Sequence, residues 1–256
     1  MTDPNRKSAG DFEQPFLDHL IELRNRLLKA VLMVGAVFLA LTPLANDVYT
    51  WLATPLLSHL PAGSQMVAID VASPFLTPFK VTLVAAVFIT MPFSLYQAWA
   101  FVAPGLYRHE KRLLFPLLLS STLLFYAGVA FAYYVVFPLV FAFLTATAPV
   151  GVAVMTDIGK YLDFVLTLFF AFGIAFEVPI LALLLVWSGL VSAQALAEKR
   201  PYVIVAAFVI GMVLTPPDVV SQTLLALPMW FLFEAGLLVA RLFPAANAKD
   251  SDAADA

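Results

Sequence analysis

The chain is 256 residues long, 62% hydrophobic and only 12% charged, with a mean hydropathy of +0.93, against about 45–50% apolar residues in a soluble domain. This composition excludes an ordinary water-soluble globule and places the chain in a bilayer. The absence of cysteine excludes disulfides, thiolate metal sites and cysteine nucleophiles, while the net charge of −3 says little, because the cations are clustered rather than spread.

Residues 1–15, "MTDPNRKSAGDFEQP", mix acids with bases around no apolar core and read as a flexible cytoplasmic lead rather than a signal or transit peptide. The next stretch, "FLDHLIELRNRLLK", places Phe16, Leu20, Leu23 and Leu27 on one stripe, which predicts an amphipathic helix running into a first span over 30–46. Glu22 lies off that stripe. It forms a favourably ordered i,i+4 pair with Arg26, or it serves as an acceptor for something outside the chain.

The connection over 46–73, with "VYTWLATPLLSHLP", is long and semi-apolar, which predicts short helices lying on the outer face. A second span follows over 81–107. The connection "APGLYRHEKRLLFP" then places Glu110 at the start of the next helix, where the macrodipole favours an anion. Glu22 and Glu110 fall on one side of the membrane at one depth, so together they could receive a dication.

The charge-free run 113–156 ends in "TATAPVG" and so holds one long helix and a loop. The fourth span, 164–197, is interrupted only by Glu177. An ionisable group there costs at least about 2.5 kcal/mol and marks a functional position by default. Pro179, two residues on, predicts a kink at this point.

The fifth apolar run, 201–217, is bracketed by prolines. About 14 residues of regular helix remain, reaching ~21 Å across a hydrocarbon core of ~30 Å. Either the bilayer thins to meet such a span or neighbouring helices shield the deficit. Thr215, Pro216 and Asp218 predict a helix cap before the last span, 219–240, in which Gln222 and Thr223 are polar points for another helix.

Twelve of the fourteen Lys and Arg residues fall before span one, after the even-numbered spans, or beyond the last, which orients both termini toward the cytoplasm. The chain divides into a lead (1–15), one six-span membrane domain (16–243) and a flexible tail (244–256). His19, His59 and His109 are too scattered for a metal site. No phosphate-cradling loop, HExxH pair or GxSxG turn occurs, so neither an enzyme nor a cofactor is expected.

Six segments, "HLIELRNRL", "DVASPFLTPFK", "YQAWAFVAPGLYRHEKR", "AFEVP", "KRPYVIV" and "LTPPDVVSQTLLALP", closely resemble the TatC family, the receptor subunits of the twin-arginine protein translocase. The resemblance runs from about Leu17 to Arg241. It implies an all-α integral membrane protein, a cup-shaped six-span bundle with two short final spans, in a bacterial inner membrane. It also implies that twin-arginine signal peptides of folded proteins are bound, with export driven by the proton motive force.

By the same resemblance, Glu22 and Glu110 recognise the paired arginines, and Arg24, Phe101 and Pro55 also take part. Glu177 would lie in a membrane-facing concavity. Met212, Thr215 and Gln222 would dock the single-span partners TatA and TatB in a complex of several copies. The rival reading is a proton- or ion-coupled solute carrier built on Glu177.

Overall fold

The computed structural model describes residues 10–57, 66–102, 114–146, 156–214 and 219–242. The tail, Glu110 and Thr215 lie outside the described residues, as do Pro216 and Asp218 of the expected cap.

Helix α1 (Gly10–Leu41) continues through a single 3₁₀ turn, Thr42–Leu44, into α2 (Ala45–Leu57), which contains Pro55. Pro43 sits at the start of the 3₁₀ turn, where a missing N–H is tolerated. Helix α1 takes in residues 10–15, which the sequence left in the lead. Helix α2 supplies the short helix expected in the first connection, and it packs on α3 (Ser73–Val102).

α3 lies against α1 as well. It carries Pro78 and Pro92 in its interior, each removing one rung of the backbone ladder. α4 (Leu114–Phe131) passes through a π turn, Ala132–Val136, into α5 (Phe137–Ala146). These three make the single long helix expected within 113–156.

α6 (Ile158–Ala175) is the central element. Its Tyr161, Leu162, Val165, Phe169 and Phe172 are nearly inaccessible and pack against Val81 of α3 and the π turn. Asp157 caps α6 by accepting from the Lys160 N–H at 2.9 Å. A two-residue parallel bridge pairs Met66 with Thr156 and Val67 with Asp157, tying the chain before α3 to the start of α6.

α6 ends at Phe176–Glu177, and α7 (Val178–Trp187) starts afresh with Pro179 in its first turn. The kink expected from Pro179 is therefore present. After α8 (Ala193–Glu198), α9 (Arg200–Leu214) is 15 residues long, as its bracketing prolines predicted.

The last helix corrects the expectation of two short final spans. α10 (Val219–Leu242) has 24 residues, about 36 Å at 1.5 Å per residue. Glu234, which interrupts its charge-free run, is paired with Arg200, whose Nε and Nη2 donate to its two carboxylate oxygens at 2.6 and 2.8 Å. Among the described residues, five helical stretches are long and apolar enough to cross a membrane, and α9 is a shorter apolar helix beside them.

Candidate functional site

The N-terminal half of α1 turns its polar face, rather than its leucine stripe, toward the rest of the chain. Leu20, Leu23 and Leu27 remain 42–61% exposed, while His19 and Arg26 meet α3. The His19 ring stacks on Phe101 with centroids 4.2 Å apart and planes 16° from parallel. Seven residues along α1, Arg26 Nη1 donates to Gln97 Oε1 at 3.5 Å. His19 faces the end of α3 and Arg26 faces one turn earlier, so the two helices run antiparallel.

Glu22 lies between these contacts. Arg26 Nε and Nη2 both donate to its Oε1, at 2.9 and 2.6 Å. The i,i+4 pair predicted from sequence is formed, and among the described residues no donor meets Oε2. Side-chain exposures of 36% for Glu22 and 25% for Arg26 make this a half-buried pair. It borders an open depression of about 330 Å³ lined also by Ile21, Asn25 and Lys29. This depression can take a cationic, planar group against a carboxylate edge.

Arg24 points elsewhere: it is exposed and donates to Asn25 Oδ1 at 3.3 Å. Phe101 meets α1 by stacking on His19, and neither ring lines the depression beside Glu22. Pro55 lies in α2, at the far end of α1, and is not brought to Glu22.

Glu177 forms a second, separate site. It is 8% exposed. The Ser121 hydroxyl of α4 donates to its Oε2, and the Trp99 indole Nε1–H of α3 donates to Ser121 Oγ at 2.9 Å. Its other oxygen, Oε1, has no partner among the described residues. Pro179 has no N–H for the Ala175 carbonyl, and the helix breaks just before it, at Phe176–Glu177, where the Glu177 side chain is held by Ser121.

At the α9–α10 contact, Gln222 Nε2 donates to the Phe208 carbonyl at 2.8 Å. The backbones approach closely because Gly211 has no side chain: a Cβ there would sit 3.3 Å from Gln222 Cγ. Met212 is 49% exposed on the same helix. Gln222 thus fastens the two last helices together, and Met212 is left on the surface.

Sequence reasoning passed over Gln97, Trp99, Ser121 and the Arg200–Glu234 pair. A glutamine inside the apolar run "SLYQAWAF" was a usable signal, since polar side chains in spans usually find an interhelical partner. The ion pair was signalled only by two charges of opposite sign in adjacent spans.

The family described as Sec-independent protein translocase protein (TatC) matches residues 18–228. The chain is 59% identical over 247 residues to the Sec-independent protein translocase protein TatC of Haemophilus influenzae, covering 96% of this chain and 95% of that one. It is 57% identical over 230 residues to the Escherichia coli K12 protein of the same name, covering 90% and 89%. A crystal structure described as the twin arginine translocase receptor TatC superposes with a TM-score of 0.78 at 38% identity, covering 88% of this chain and 98% of that one. With a family match over most of its length and relatives at this identity, the chain belongs to the TatC family and is a multi-pass membrane protein.

Proposed function

We propose that the chain is the receptor subunit of a twin-arginine translocase: it binds twin-arginine signal peptides of folded proteins and, with TatA- and TatB-type partners, supports their export. The single observation that carries the reading is an arginine already seated on Glu22, whose second carboxylate oxygen meets no donor among the described residues. An intrachain guanidinium on Glu22 supports its assignment as an arginine acceptor.

Arginine suits this acceptor because its planar fork meets a carboxylate with two parallel donors, a geometry lysine lacks. Glu110, at the same depth by the charge distribution, is the proposed acceptor for the second arginine. Phe101, stacked on His19 one turn before Glu22, and Arg24 and Pro55 contribute from outside the pocket. Both termini lie in the cytoplasm and the membrane is the bacterial inner membrane, in keeping with the twelve-to-two distribution of cations.

Two exposed ion pairs yield about 2 kcal/mol at most, against ~8 kcal/mol for micromolar binding. The apolar part of the signal peptide supplies the remainder by lying along the exposed leucines of α1. Met212, Thr215 and Gln222 form the docking region for the single-span partners, and the proton motive force drives transport.

The solute-carrier reading gives way on two grounds: Glu177 is enclosed by its own neighbours, and the relatives are named as protein translocase components. Titration of a labelled twin-arginine peptide onto the detergent-solubilised chain tests the proposal. Glu22→Gln and Glu110→Gln are expected to weaken binding by up to about fivefold each, and a twin-lysine peptide is expected to bind poorly to the parent chain. Equal binding in all combinations would falsify the carboxylate assignment.

A further inference from the structure

Arg26 is a guanidinium built into the chain at the place where a signal-peptide guanidinium is proposed to bind, so it competes for Glu22. Such a competitor must go somewhere when displaced. A vacated arginine left unpaired at a half-buried position costs the desolvation of its charge.

One acceptor already stands within reach. Gln97, on the neighbouring helix and only 7% exposed, turns Oε1 toward Arg26 Nη1 at 3.5 Å, a contact at the limit of hydrogen bonding. A rotation of the guanidinium away from Glu22 would shorten it. Nη1 is also the one terminal nitrogen of Arg26 that does not engage Glu22, so the two acceptors divide the guanidinium between them.

We propose that Gln97 is the receiving group in a hand-off: a signal arginine docks first on Oε2 of Glu22, which meets no donor among the described residues, and Arg26 then transfers from Oε1 to Gln97. This deepens the receptor reading above and rests on it. Gln97 is accordingly a positioning residue, acting on the ligand through Arg26. The arrangement favours guanidinium pairs over weaker cations, because only a ligand that binds Glu22 better than Arg26 completes the exchange.

The test is a double-mutant cycle on the full-length chain in detergent, read by titration with a fluorescent peptide carrying paired arginines. Arg26→Gln is expected to tighten binding about twofold, the weight of an i,i+4 ion pair on a helix. Gln97→Leu is expected to weaken binding about tenfold when Arg26 is present and to change it less than about twofold when Arg26 is already glutamine. Gln97→Glu, a second variant that keeps the side-chain volume, is expected to tighten binding only in the Arg26 background.

Elution of each variant as a single folded species establishes that affinities are compared between intact proteins. Equal loss from Gln97→Leu in both backgrounds overturns the hand-off, as does clear weakening by Arg26→Gln. If Glu22→Gln leaves the parent's affinity intact, the receptor assignment of Glu22 itself fails. If Glu22→Gln weakens binding while Gln97 and Arg26 prove uncoupled, only the hand-off fails.

Discussion

The hydroxyl of Tyr126 on α4 donates to the backbone carbonyl of Phe88 on α3 at 2.7 Å. That carbonyl lies four residues before Pro92, which has no N–H to offer it. A side chain on one span therefore supplies the donor that a proline removes from another, where the hydrocarbon offers no water as a substitute. Tyr126→Phe is expected to lower stability by about 1 kcal/mol. Pro92→Ala restores the intrahelical donor and should make Tyr126→Phe nearly silent. Melting midpoints of the four proteins of this cycle, measured in detergent, check it, and additive losses would contradict it.

Ser121 stands between Trp99 and Glu177 as acceptor for one and donor to the other. Ser121→Ala strands both neighbours in a buried place, at about 1–3 kcal/mol for each group left unpaired. Glu177→Gln keeps an acceptor for the hydroxyl and should cost less. Thermal unfolding is expected to rank Ser121→Ala below Glu177→Gln, and the reverse order would remove Ser121 as the anchor of this site.

Asp157 holds two segments at once, accepting from the Lys160 N–H at 2.9 Å and from the Ile69 N–H at 3.0 Å. Those two backbone donors, Lys160 first, hold its carboxyl below the ordinary aspartate value of 3.8. A depressed folded pKa contributes stability above the unfolded value and loses it as pH falls through the folded one. The attachment of residues 66–72 to α6 should therefore persist at neutral pH and weaken only below about pH 4. Amide exchange at Ile69 followed against pH reads this directly, and Asp157→Asn should abolish the acid dependence.

Three glycines differ in what surrounds them. A Cβ on Gly128 would meet the Phe172 carbonyl oxygen at 2.4 Å, and one on Gly236 would meet Pro179 Cα at 2.8 Å, both backbone atoms that cannot swing aside. Around Gly35 nothing lies within 4 Å. Alanine at 128 or 236 is expected to cost about 1–3 kcal/mol by pushing helices apart. At 35 it should be neutral or stabilising by up to about 1 kcal/mol, since alanine is the better helix former. Comparable melting points for all three would contradict the close packing of α4 on α6 and of α10 on α7.

Properties carried along one segment were readable from sequence, and properties arising between segments were not. Proline at 201 and 216 bounded a short helix, and Arg200–Leu214 is that helix. Pro179 forecast the break at Glu177, and the i,i+4 order of Glu22 and Arg26 forecast their pair. The face of α1 that packs inward could not be read, because the leucine stripe has two apolar destinations, the chain or the lipid, and periodicity does not choose between them. Arg200 with Glu234, and Trp99 with Ser121 and Glu177, depend on which faces of separate helices meet, which no local pattern records.

The π turn at Ala132–Val136 sets the phase of a whole helix. Leu117, Ser121, Phe125, Ala132, Val136 and Val140 are all buried along this one rod, and the 23 residues from Leu117 to Val140 must bring the last onto the line of the first. Ordinary turns of 3.6 residues would overshoot by about 140° and send Val140 toward lipid. The π turn absorbs one extra residue, so the stretch turns like 22 ordinary residues and the overshoot falls to about 40°. Chain length between Phe131 and Phe137 is therefore constrained even where side-chain identity is not: a residue removed or added there would rotate everything beyond it, while a substitution would not.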